Sequence, residues 1–126
     1  MKLNQDCVRD LLLYLENTLT YENTITINYL SLKNYSKLDL VYTADKLLEA
    51  NFINCIKSSY VDESGPIIIA KSITYSGHQF LDNIRDNKVF EKTKSILSSL
   101  ESVSIKVFSE TASKVITNMI NQQLGL

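Results

Sequence analysis

The sequence predicts an α+β fold, mostly helical, and three observations carry that expectation. Apolar residues recur at helical spacing behind good capping residues in several stretches, the mark of core-facing helices. Between two of these stretches, Phe52 to Lys57 and the β-branched run from Ile67 to Ile73 flank a polar tip and read as a hairpin. A shorter alternating segment, Thr24 to Ile27, precedes the second helix. Helix, strand, helix and hairpin in that order describe a winged helix-turn-helix with a two-stranded wing. Two to three additional C-terminal helices follow it. One domain over residues 1–126 is expected, with 1–74 as the winged-helix core and 75–126 as helices that pack on the core or form a dimer interface.

The first helix opens at Asn4, a strong N-cap, with Asp6 placed to complement the helix dipole and Leu3 and Val8 at staple spacing. Val8, Leu11, Leu12 and Leu15 then form one apolar stripe, which fails at Asn17-Thr18. Tyr21-Glu22-Asn23 is a polar turn into the short strand. Ser36 caps the second helix, with Asp39 at the capping-box position and Tyr35 and Leu40 as a staple. Leu40, Val41, Ala44, Leu47 and Leu48 give its buried face, and Asn51 ends it as a left-handed cap residue. The hairpin tip spans Ser58 to Pro66 and is punctuated by Gly65-Pro66.

Helix resumes behind Thr74 with Phe80, Leu81 and Ile84 apolar, then restarts at Asp86 or Asn87. Val89, Phe90, Ile96, Leu97 and Leu100 line that next helix. Ser102 or Ser104 caps the last one, whose stripe runs Ile105, Phe108, Ala112, Val115, Ile116, Met119 and Ile120, with Val107 beside it and Gly125 at its end.

At 126 residues the chain is long enough to bury a core without disulfides or metal. No apolar run approaches the ~18 residues of a membrane span. The polar start, Met1-Lys2-Leu3-Asn4-Gln5-Asp6, has no signal-peptide core. Cys7 and Cys55 stand far apart with no histidine cluster nearby, which reads as two reduced thiols in a cytoplasmic protein rather than a metal site. Formal charge is −1, whereas nucleic-acid binders usually carry a basic excess that neutralises phosphates. Only residues 87–126 lean the other way, with five lysines against three glutamates.

The stretch Thr74-Tyr75-Ser76-Gly77-His78-Gln79-Phe80-Leu81-Asp82-Asn83-Ile84-Arg85-Asp86 resembles the signature of a family known as domain of unknown function twenty-five-thirteen. Its members are small proteins of phages and prophages. The opening Met1-Lys2-Leu3, Val8-Arg9-Asp10-Leu11-Leu12, Val89-Phe90 and the ending Leu124-Gly125-Leu126 are similar to the same family. The resemblance implies a winged-helix fold and a mobile-element origin, and it carries over no functional residue. Three departures stand out: Ile73 for the family's Leu, Asn51 for its Gly, and Val41-Tyr42-Thr43-Ala44 where members commonly read Ile-x-Tyr-His-Leu.

His78 is the sole histidine, and no nucleophile with an orienting partner accompanies it locally, so no catalytic site is expected. Gly77-His78 is read instead as packing its helix on the hairpin base, Gly for close approach and His as a hydrogen-bonding hinge. Asp82, Arg85 and Asp86 are read as forming helix-surface ion pairs or capping the next helix. No phosphate loop, paired carboxylates or cofactor motif is present.

The outward face of the second helix should carry Lys37, Tyr42, Thr43, Asp45, Lys46 and Glu49. Lys37, Tyr42, Thr43 and Lys46 are the candidate contacts to a major groove, and Tyr60, Asp62 and Glu63 are candidate contacts at the hairpin tip. Asp39, Asp45 and Glu49 share the helix, and the tip's carboxylates oppose a phosphate backbone. Two non-enzymatic functions therefore stand side by side. One is a small DNA-binding regulator. The other is an effector that occupies a host or defence protein. A homodimer through the C-terminal helices is a further expectation. No cofactor or membrane partner is expected.

Overall fold

The computed structural model describes residues 1–62 and 65–126, the side chains of 60–62 excepted. The protein is mostly helical α+β, with five α-helices and a three-stranded antiparallel sheet among the described residues. Its elements are α1 (Gln5–Thr18), β1 (Ile25–Thr26), α2 (Lys37–Glu49), β2 (Ile53–Asp62), β3 (Gly65–Ile73), α3 (Tyr75–Ile84), α4 (Asn87–Leu97) and α5 (Ile105–Leu124). Packing gathers them into two compact units, Met1–His78 and Gln79–Leu126.

In the first unit the capping residues act as their chemistry dictates. The Asn4 side chain accepts from the Cys7 amide at 3.1 Å and so satisfies a first-turn donor of α1. Ser36 and Asp39 form a reciprocal capping box at the start of α2. Asn51 takes φ 61°, its amide donating to Leu48 and that of Phe52 to Leu47, a Schellman closure that aims the chain into β2.

The sheet order is β1-β3-β2. The hairpin is not an isolated pair, because Ile25 and Thr26 of β1 lie opposite Ala70 and Ile69 of β3. After Thr26 the chain turns away as a short 3-10 helix, Ile27–Tyr29. The buried Asn28 side chain then takes over the pairing. Its amide donates to the Pro66 carbonyl at 2.9 Å and accepts from the Ile68 amide at 3.0 Å.

The hairpin is also longer than expected. Ser58 to Asp62 belong to β2, and Gly65 and Pro66 already belong to β3. Lys57 faces Ile68 while Val61 faces Pro66, so a bulge absorbs the extra residues of β2 and pairing persists through a polar stretch. Gly65, at φ 90°, sits where an added Cβ would lie 3.5 Å from Val41, so the far end of the hairpin returns to the first turns of α2.

Leu11, Leu12, Leu15, Leu40, Leu47, Ile53 and Ile68 are fully buried, each contributing about 1.5–3 kcal/mol by leaving water. Thr74 caps α3, its hydroxyl accepting from the Gly77 amide at 2.9 Å. Gly77 is there for closeness: a Cβ would come 2.1 Å from the Phe52 carbonyl oxygen and 2.8 Å from Ile73.

In the second unit Asp86 caps α4, accepting from the Val89 amide, and Arg85 pairs with Asp82 at 3.0 Å. Val89, Phe90 and Thr93 form the buried row of α4, and the Phe90 and Phe108 rings meet at 5.3 Å with a 52° tilt. Ser104 caps α5, and Gly125 closes it at φ 77°. Ile96 and Leu100, expected to line the core, are exposed. Ile96 falls in the last turn of α4, Leu100 lies beyond its end, and Thr93 takes the inward position with its hydroxyl bonded to the Val89 carbonyl.

Candidate functional site

Helix α2 and the hairpin together form one surface of the first unit. Lys57 of β2 reaches Asp45 of α2, and Gly65 lies beside Val41, so the hairpin runs back along the helix. Strand alternation turns Ile68 and Ala70 inward, leaving Ile56 and Ile69, which face each other across the strands, on the outer side. Ile56 is 54% exposed, an apolar group that phosphate recognition does not use.

The helix carries its charges as pairs. Lys46 donates to both carboxylate oxygens of Glu49, at 3.1 and 2.9 Å, and its ammonium lies 5.3 Å from the centre of the Tyr42 ring. Glu49 holds the Lys46 ammonium above its usual range. Lys57 lies 2.9 Å from Asp45 Oδ1 but off the hydrogen-bond axis, so that contact is Coulombic. Lys37 stands exposed in the first turn.

Thr43 does not belong to this surface. It is 2% exposed, and its hydroxyl donates to the Cys7 thiol at 3.3 Å. The physical reason is position: Thr43 falls three residues after Leu40 and four before Leu47, on the same row of the helix as both. α1 covers that row, and Leu48 on the far margin stays half-buried instead. Glu63 lies outside the described residues, and Tyr60 and Asp62 are described by backbone alone, within β2.

The groups with chemical potential elsewhere are quiet. Burial raises the Cys7 thiol above its ordinary range, the Thr43 hydrogen bond opposing it. Cys55 is pushed up to about 11 by burial and then by Asp45. Neither thiol is poised as a thiolate nucleophile. His78, expected as a packing hinge, is 48% exposed, with Nδ1 3.7 Å from Glu16 Oε2. It lies at an open groove of about 290 Å³ with Leu15, Leu19, Lys71 and Ser72. Among the described residues no group of acidic, histidine or cysteine side chains could hold a metal ion. None of their helices is long and apolar enough to cross a membrane.

Two comparisons with known proteins found similar sequences. Residues 2–104 match the family model described as "Hypothetical protein (DUF2513)". A protein of the Rd strain of Haemophilus influenzae, described as "Uncharacterized protein", is 26% identical over 121 residues, 95% of this chain and 99% of its own length. No solved structure matches the chain.

Proposed function

The chain belongs to the DUF2513 family, and we propose that it is a non-enzymatic winged-helix binding protein whose α2–hairpin face engages a basic surface on a partner protein. The winged-helix reading is supported by the helix, strand, helix, hairpin order and by the hairpin running back along α2. The partner reading rests on one observation. Two lysines of this face, Lys46 and Lys57, are already held by Glu49 and Asp45, which leaves phosphate oxygens less to bind.

The rest of the face agrees. Thr43 is buried, Ile56 offers apolar area, Asp39 stands exposed in the first turn of α2, and the sequence places the carboxylates Asp62 and Glu63 next to each other in the hairpin segment. Protein interfaces use such mixed surfaces, with acidic groups steering a basic partner. In the phage or prophage setting that the sequence resemblance implies, the partner is a host or defence protein. The proposal puts the protein in the cytoplasm, where two free cysteines stay reduced.

Fold order and the exposed Lys37 favour a second reading, a small DNA-binding regulator. Charge separates the two. Fluorescence anisotropy with random duplex DNA near 50 mM salt favours phosphate contacts, and non-specific binders reach roughly micromolar affinity there. No binding is expected up to about 100 μM protein. Capture from an infected lysate should retain its partner after nuclease treatment, and replacing Asp62 and Glu63 with Gln should weaken that capture. Micromolar duplex binding that the same replacement tightens would sink the protein-partner reading.

A further inference from the structure

Within the second unit, α5 outruns the helix packed against it. Twenty residues in α5 and eleven in α4 correspond to lengths of about 30 and about 16 Å, so α4 can cover roughly half of α5. Phe90 packs on Phe108, whereas Asp86 and Val89 at the start of α4 meet the later turns of α5.

The apolar stripe of α5 continues past this cover. Phe108, Ala112 and Val115 are buried, but Met119 is 45% and Ile120 52% exposed. With Ile116, Val89, Asp86 and Gln123 they line an open groove of about 430 Å³. In a chain whose residues are 21% charged, positions 116–126 include no charged side chain. Their polar members are Thr117, Asn118, Asn121, Gln122 and Gln123. Four of these are amides, which donate and accept alike.

We infer that this groove is a two-fold contact with a second copy of the chain. In such a contact a patch meets itself, so a charged patch repels its own copy. A neutral apolar strip rimmed by amides is complementary to itself. The one carboxylate lining the groove, Asp86, is engaged as the cap of α4, so a charged partner finds little there to recognise. Two α5 helices crossing antiparallel also oppose their dipoles favourably. The exposed strip covers two to three turns, so the interface is at the small end of stable contacts and dissociates on dilution. This inference does not rest on the proposed function of the α2–hairpin face.

Sedimentation velocity on the full chain between about 1 and 100 μM decides it, a range that spans the micromolar affinities of small interfaces. A species of twice 14.3 kDa should grow with concentration. Ile120→Glu and Met119→Lys, each placing an unpaired charge at the contact, should weaken association at least about a hundredfold. Both positions are exposed in the single chain, so helical circular dichroism should be retained. Lys114→Glu, on the opposite side of α5, should leave the dimer intact. If Ile120→Glu loses helical signal, Gln123→Glu on the groove's rim gives the same readout. A wild-type monomer throughout the range would overturn the inference. So would a dimer indifferent to these groove substitutions, or a monomer whose groove takes up an apolar dye instead.

Discussion

Asp45 of α2 and Lys57 of β2 approach to 2.9 Å, one carboxylate cancelling the cation that the hairpin would otherwise present beside the helix. Four residues further along α2, Glu49 does the same to Lys46. Two of the cations on the surface that sequence order would assign to DNA are therefore neutralised internally.

Removing both carboxylates should reverse that. Asp45→Asn with Glu49→Gln frees two lysines, and the double variant should gain measurable duplex binding at low salt. The logarithm of its affinity should fall with the logarithm of salt concentration, with a slope steeper than wild type by up to about two, near one per phosphate contact. Anisotropy titrations at three salt concentrations give the slope. A double variant that binds DNA no better than wild type would mean that pairing is not what silences the face.

Gly77→Ala should be costly although it adds a single methyl. The new carbon would sit 2.1 Å from the Phe52 carbonyl oxygen, and that carbonyl already accepts from the Thr74 amide at 3.0 Å. Neither backbone can yield without disturbing the helix cap. A loss of about 3 kcal/mol or more is expected, at the upper end of overpacking costs. Urea unfolding monitored by circular dichroism measures it, and a change below about 0.5 kcal/mol would mean α3 is not seated on Phe52.

Cys55 should make the protein less stable in alkali. Its thiol is pushed up from an ordinary 9.0 to about 11 in the folded chain, chiefly by burial. A raised folded value favours the protonated form. The stabilising contribution is thus full below about 9 and is lost as pH rises through about 11. Stability of Cys55→Ala should decline less steeply than wild type across that window. Parallel curves for the two proteins would remove Cys55 as a cause.

What the sequence makes legible here is local. Asn4, Ser36 with Asp39, Asn51, Thr74, Ser104 and Gly125 each act through atoms a few residues away, and their roles are readable because the partners are in the same window. Thr43 was legible in principle, since its spacing from Leu40 and Leu47 puts it on their row, but its hydroxyl suggests a surface. The pairing of Lys57 with Asp45 is not legible, because it depends on how the hairpin folds back over α2. Likewise Ile96, Met119 and Ile120 fit an apolar stripe by period, and only the lengths of α4 and α5 decide how much of that stripe is covered.

The Asn28 side chain has a consequence for strand alignment. Ile67, Ile68 and Ile69 are three identical residues in the middle of β3, so the hydrophobic pattern there distinguishes poorly between neighbouring registers. A slip would exchange one isoleucine for another. Asn28 removes the ambiguity with a group that behaves as a peptide unit at fixed address, donating a hydrogen bond to the Pro66 carbonyl and accepting one from the Ile68 amide. Pro66 has no amide hydrogen to offer, so the same two bonds cannot be remade by sliding β3 until Pro66 stands where Ile68 does. The alignment of β3 is thus set by one amide some forty residues earlier in the chain, and the repetitive strand is free to be as apolar as its core requires.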